Sequence, residues 1–234
     1  SLGGEDTGAP FTIEWNTLQI PDGGHTLTAI ARDVLGNTAI SAPVSVTVKN
    51  ATFDDFEDGD ASNWVSDGTG TWAVAEQGDN RVLRQSNVTA VSNRAVLQSA
   101  EWADQVVEAD VTLNAVSGSN RFFGVAARYQ TPDDYYYFVL RTNNTAELKR
   151  LTKAVATNLV PPVPLPFTVT PGVPHRMTLE VVGSRLRAYV DGQLVLEGAD
   201  ATYVTGRVAL LTYFSDVSFD NVHAAPAPLA NAVD

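Results

Sequence analysis

The sequence contains no cysteine. That absence removes disulfide staples, thiolate nucleophiles and cysteine-based zinc sites together. Histidine is scarce. His25, His175 and His223 stand at strand ends far apart in the chain, and a zinc trio would have to gather them from two domains. No run of about 18 apolar residues exists, so no membrane-spanning helix is expected. No G-x-S-x-G appears, which excludes the strand-to-helix elbow of a serine hydrolase. Positive charge is also thin. Fifteen Lys and Arg face 27 Asp and Glu, for a net charge of −12. A field of that sign repels phosphate backbones and anionic membrane surfaces, so nucleic acid is not an expected partner.

What is present is enough for one large or two small domains. The chain has 234 residues, 44% of them hydrophobic and 18% charged, so a substantial core is available. An acidic, cysteine-free chain rich in Thr, Val and Gly fits a secreted or cell-surface bacterial protein. Residues 1–49 alternate with a period of two, the signature of half-buried antiparallel strands. Phe11, Ile13 and Trp15 alternate with Thr12 and Glu14; Val44, Val46 and Val48 alternate with Ser45 and Thr47. Pro21-Asp22-Gly23-Gly24 and Leu35-Gly36-Asn37 supply the turns. The segments APFTIEWNT, HTLTAIARD and LGNTA resemble the C-terminal part of a bacterial immunoglobulin-like domain. The first strands of that family are missing. A complete sandwich of this kind needs about seven strands, so flanking domains of a longer chain or a neighbouring subunit are the expected cover.

Lys49 to Thr52 reads as a linker. Residues 53–224 then carry a dozen candidate strands at even spacing, with polar turns and no useful amphipathic helix. Asp191-Gly192, between RLRAYV and QLVLEG, is a strong hairpin signal. Residues 225–234, APAPLANAVD, are Ala/Pro-rich and read as a loose tail. This pattern predicts an all-β chain: a partial immunoglobulin-like sandwich followed by a two-sheet jelly roll. FDDFEDGDASNW, VVEADVTL, GVAARYQTPDDYYYFVLR, HRMTLEVVGSRLRAYVDGQLVLE and GRVALLTYFSDVSFDNV, in that order, are similar to a concanavalin A-like or laminin G-like jelly roll. That resemblance spans residues 53–222. It implies the type of domain appended to polysaccharide-degrading enzymes, and the fold also serves glycosidases, lyases and spacers.

Three constellations carry chemistry. In the loop after Phe53, Asp55, Glu57 and Asp58 crowd hard oxygen ligands beside a permissive Gly59. With Asp220 from the last strand, expected to lie beside the first, they form a candidate structural calcium site. A solvated acidic loop is the alternative. Second, Glu108 and Asp110 begin the E-x-D-x-x-E pattern of glycosidases of this fold, but Leu113 occupies the second Glu position. Without an acid partner the double-carboxylate mechanism fails, so the chain is expected not to be an enzyme. Third, strand geometry puts Tyr135, Tyr137, Val139 and Arg141 on one face, with Gly124, Ala126 and Arg128 beside them. Arg128, Tyr135, Tyr137 and Arg141 are the candidate sugar-binding residues, since rings stack on sugars and arginines bind hydroxyls or carboxylates. Structural ion pairing of Arg128 and Arg141 with Glu108 or Asp110 is the competing reading.

The sequence therefore leads to a non-catalytic, calcium-stabilised accessory module that binds or presents carbohydrate, anionic if both arginines face it. The alternatives are a spacer, adhesin or surface-filament segment, and a divergent glycosidase or polysaccharide lyase.

Overall fold

The protein is described by a computed structural model covering residues 2, 4–15, 17, 20, 22–98 and 101–227. Among these residues the regular elements are all strands. No helix among the described residues is long and apolar enough to cross a membrane. The chain divides into two compact units between Asn50 and Ala51.

The first unit holds two small ribbons. Strand β1 (Gly23–Leu27) pairs with the fourth strand, Val44–Val48, and β2 (Ile30–Arg32) pairs with β3 (Thr38–Ile40). The Asp33 carboxylate closes the β2–β3 turn by accepting from the amides of Leu35 and Asn37. The strand expected over Phe11–Trp15 is not in a ladder. Alternation makes a strand only where a neighbour supplies hydrogen bonds, and here the Thr12 amide donates to Asp6 instead. Phe11 and Ile13 are exposed.

The second unit starts, after β4 (Val44–Val48), with β5 (Thr52–Asp54), β6 (Trp64–Asp67), β7 (Trp72–Gln77), β8 (Asn80–Gln85) and β9 (Asn93–Leu97). Long strands follow: β10 (Gln105–Val116), β11 (Phe122–Thr131), β12 (Asp134–Arg141) and β13 (Thr145–Thr152). The short β14 (Val155–Asn158) and β15 (Val163–Pro164) lead to β16 (Pro174–Val182), β17 (Arg185–Val190), β18 (Gln193–Ala199), β19 (Arg207–Tyr213) and β20 (Ser215–Pro226). They form two antiparallel eight-stranded sheets. Sheet one runs β18-β17-β16-β10-β20-β8-β7, with β5 on β20. Sheet two runs β14-β13-β12-β11-β19-β9-β6, with β15 on β13. This is a jelly-roll sandwich. The first strand of the unit, β5, lies beside the last, with Phe53 opposite His223.

The core lies between the sheets. Val107, Ala109 and Val111 of β10 and Met177, Leu179 and Val181 of β16 are fully buried, as are Val125, Phe138, Leu140 and Leu148 of sheet two. Alternation on each strand sends the intervening residues outward. Asp191 and Gly192 both take positive φ, as the expected hairpin turn requires. Ala225 and Pro226, expected in the tail, belong to β20, with Pro226 opposite Gln105; residues 228–234 of that expected tail lie outside the described residues.

Candidate functional site

The two outward faces differ in chemistry. On sheet one, outward side chains form a charged lattice. Arg176 bridges Glu108 and Asp110, and Arg187 bridges Glu180 and Glu197. The E-x-D pair is thus held as structural ion pairs, although its partner is Arg176 rather than the expected Arg128 or Arg141.

The outward face of sheet two is apolar and aromatic. Cross-strand register aligns Lys149, Tyr137, Ala126, Ala209 and Val96 in one row, and Leu151 with Tyr135 in the row beside it. On the other side of the Tyr137 row lie Glu147, Val139, Gly124, Leu211, Arg94 and Asp67, and then Arg141, Phe122 and Tyr213. Rings touch in sequence across three strands. Tyr213 stacks on Phe122 at 4.8 Å, Phe122 meets Tyr137 at 6.4 Å, Tyr137 meets Tyr135 at 5.4 Å, and Tyr135 stacks on Tyr129 at 5.5 Å. Three guanidiniums lie against these rings. Arg121 lies 5.8 Å from the Tyr213 ring, Arg141 5.5 Å from Phe122, and Arg94 5.6 Å from Tyr135. Such contacts are cation–π attractions. A Cβ on Gly124 would collide with the Phe138 carbonyl oxygen and crowd the Met177 methyl of the core, so the position takes only glycine.

Tyr129, Tyr135 and Tyr137 are buried among Val96, Ala126, Val139, Ala209 and Leu211, with Phe122 and Leu151 packed against them. The rings left partly open are Phe122, Tyr213 and Phe214. Burial pushes all three buried phenols above the usual tyrosine range. For Tyr129 a hydrogen bond to the Asp67 carboxylate adds to it. These phenols stay protonated near neutral pH and do not act as bases there.

Tyr135, Tyr137 and Arg141 therefore share a face as the strand pattern predicts, but Arg128 does not join them. A register shift between Ala127 and Thr131 and a left-handed φ of 47° at Arg128 break the alternation. Its buried side chain turns to the end of the sandwich, where it donates to the carbonyls of Ala103 and Tyr203 and lies 3.4 Å from Asp104. Arg141 pairs with Glu147 at 3.0 Å rather than with Glu108 or Asp110. Lys149 takes the same Glu147 oxygen at 3.0 Å. Sequence reasoning missed Phe122, Tyr213, Arg94, Asp67, Glu147 and Arg121, which join the face only through strand neighbours remote in the chain.

The expected calcium ligands are spent locally. Asp55 accepts from the Glu57 amide and Asp58 from the Asp60 amide, each closing a tight turn. Glu57 accepts from the Arg81 amide, and Asp220 from Asn80 and Asn221. Among the described residues no three His, Asp or Glu side chains are gathered to hold a metal ion. As placed, these four carboxylates do not fit one calcium ion.

Nearly every guanidinium in this acidic chain has a carboxylate within 4.0 Å. Arg32, Arg84, Arg94, Arg128, Arg141, Arg150, Arg176, Arg185, Arg187 and Arg207 do. Arg81 and Arg121 are the two described arginines that pair otherwise: Arg81 with the Glu57 carbonyl, Arg121 with rings.

No protein-family model matches the sequence, and no curated protein matches it. Solved structures do match in fold. A carbohydrate binding module, CBM66 from Bacillus subtilis, superposes with a TM-score of 0.57 at 19% identity, covering 70% of this chain and 95% of that one. The Bacillus licheniformis β-glucanase gives 0.55 at 12% identity, over 76% of this chain and 99% of that one. A glycoside hydrolase family 16 endo-glucanase from Bacteroides ovatus gives 0.53 at 14%, over 73% and 86%. These likenesses show a concanavalin-type jelly roll; they leave the immunoglobulin-like reading of the first unit unshown. They also overturn the expectation that the chain is not an enzyme. Most of the similar structures described are glycoside hydrolases, so the missing Glu at position 113 is no ground for excluding catalysis on this fold.

Proposed function

We propose that the chain binds polysaccharide on the ring-lined outward face of sheet two, as part of a secreted or cell-surface protein. One observation carries this: five rings in unbroken contact occupy a sheet face that an antiparallel sandwich ordinarily gives to water. Sheet one, with its ion-pair lattice, shows what an ordinary solvated face of this chain looks like. The partly open Phe122 and Tyr213 leave apolar ring surface for a sugar to lie against, and the buried tyrosines beside them fix the pair. Modules and hydrolases that act on glycans share the fold, which supports the reading without assigning a reaction.

The test is affinity electrophoresis and calorimetry of the full chain with soluble neutral and acidic polysaccharides. Affinities of millimolar to micromolar, about −4 to −8 kcal/mol, are expected. Phe122→Ala and Tyr213→Ala should each weaken binding with the fold intact. Chromatography of the same mixtures records whether glycosidic bonds are cleaved. No binding to any polysaccharide would leave the spacer reading in its place. Variants that bind like the parent would move the site off this face.

A further inference from the structure

We infer that the polysaccharide bound on this face carries carboxylates, as a uronic-acid polymer does, and that Arg121 receives them; this rests on the proposed function. The ground is the charge left over at one end of the ring platform. Arg121 hydrogen-bonds through Nε to the Ser117 carbonyl. Its Cζ stacks 4.2 Å from the Phe214 ring centre. Its terminal nitrogens have neither a carboxylate nor a hydrogen-bond acceptor among the described residues, whereas ten other arginines of this acidic chain have found a carboxylate. Gly118 clears the space for the guanidinium, since a Cβ there would lie 2.6 Å from Arg121 Nη2.

The neighbouring charges do not cancel it. Arg141 and Lys149 share the single carboxylate of Glu147. Arg121 over Tyr213 and Arg141 over Phe122 thus flank the stacked pair, and the one carboxylate that answers Arg141 is already shared with Lys149. In a chain of net charge −12, a local positive excess invites an anion. A carboxylate matches the free edge of a guanidinium in a two-point contact, which no neutral hydroxyl reproduces with equal strength. The rings hold a sugar face and the arginine holds the acid on it.

The experiment measures binding of the full chain to polygalacturonate, dextran sulfate, neutral dextran and a neutral β-glucan, at low and at high salt. Polygalacturonate is expected to bind at least about tenfold more tightly than either neutral polymer at low salt, with the preference shrinking as salt screens it. Arg121→Ala and Arg121→Gln should each lose about tenfold on polygalacturonate, the effect of one charge-assisted contact. Both should keep a cooperative unfolding transition and leave neutral-polymer affinity near the parent's. Equal affinity for polygalacturonate and the neutral polymers overturns the inference but keeps the proposed function, as does an Arg121→Ala variant that binds polygalacturonate like the parent. Tighter binding of dextran sulfate overturns the carboxylate assignment in favour of sulfate. Failure of all four polymers removes the proposed function itself.

Discussion

The rings of Phe122 and Tyr213 lie 4.8 Å apart and 5° from parallel, on residues directly opposite one another in β11 and β19. A non-consecutive strand pairing thus builds the platform. A stacked pair contributes about 0.5–1.5 kcal/mol beyond the area it buries. Phe122→Ala and Tyr213→Ala should each destabilise the fold by about 1–3 kcal/mol, less than a fully buried ring. The double variant should reveal a coupling of about 1 kcal/mol in a denaturant-unfolding cycle. Strict additivity would mean that the rings do not stack in solution.

This pairing also marks where the sequence stops being readable. Alternation and turn residues reveal the strands of residues 53–224, because period two follows from the pleat alone. They place Tyr135, Tyr137 and Arg141 together, since one strand carries all three. They do not reveal that β19 lies between β11 and β9, which is what brings Tyr213, Arg94 and Asp67 onto the same face. Arg128 was legible only as long as β11 stayed regular; the bulge after Ala127 turned it elsewhere. The acidic loop shows the other limit. Asp55 and Asp58 have the chemistry of metal ligands, yet the same short side chains close Asx turns on nearby amides.

The tyrosine layer should control alkaline stability. Tyr129, Tyr135 and Tyr137 are raised by burial, and Tyr136 is pushed up to about 12 by burial and by its hydrogen bond to Asp200. A phenol whose folded pKa exceeds its unfolded value near 10 contributes stability that is complete below pH 10 and disappears as pH climbs toward the folded value. Melting temperature should therefore be flat to about pH 10 and fall steeply above it. Absorbance titration at the phenolate band should show these four groups ionising together with unfolding. Free, early ionisation of all seven tyrosines at pH 10 in a folded protein would contradict the burial.

Asp200 should control acid stability. It accepts from the Tyr136 hydroxyl at 2.6 Å and pairs with Arg150. Burial opposes its ionisation, but the bonds from Tyr136 and Thr202 and the Arg150 charge win, so its pKa is lowered from 3.8. The stabilisation it gives is present above its unfolded pKa and is lost as pH falls through the lower folded value. Asp200→Asn should cost about 1–3 kcal/mol at pH 7. That difference should narrow only below about pH 3.8, near the carboxylate's ordinary value. A deficit independent of pH down to 2 would show that packing, and not charge, holds Asp200 in place.

Glu147 offers a last test in which stability and binding move in opposite directions. Its carboxylate, mostly buried, is shared by Arg141 and Lys149, each at 3.0 Å. Glu147→Gln keeps the shape and one acceptor oxygen but removes the only anion between two cations. The fold should lose about 1–3 kcal/mol, because a guanidinium and an ammonium at short range lose their shared counter-charge while partly desolvated. The same change adds one positive unit beside Phe122, to a cluster that already includes Arg121. If the ligand is a carboxylated polymer, its affinity should rise several-fold at low salt, and the gain should fade at high salt. Affinity for a neutral polymer should stay level. A variant that is less stable and binds polygalacturonate more weakly would mean that Glu147 holds Arg141 in its binding position, and that the platform depends on that pair more than on its surplus of charge.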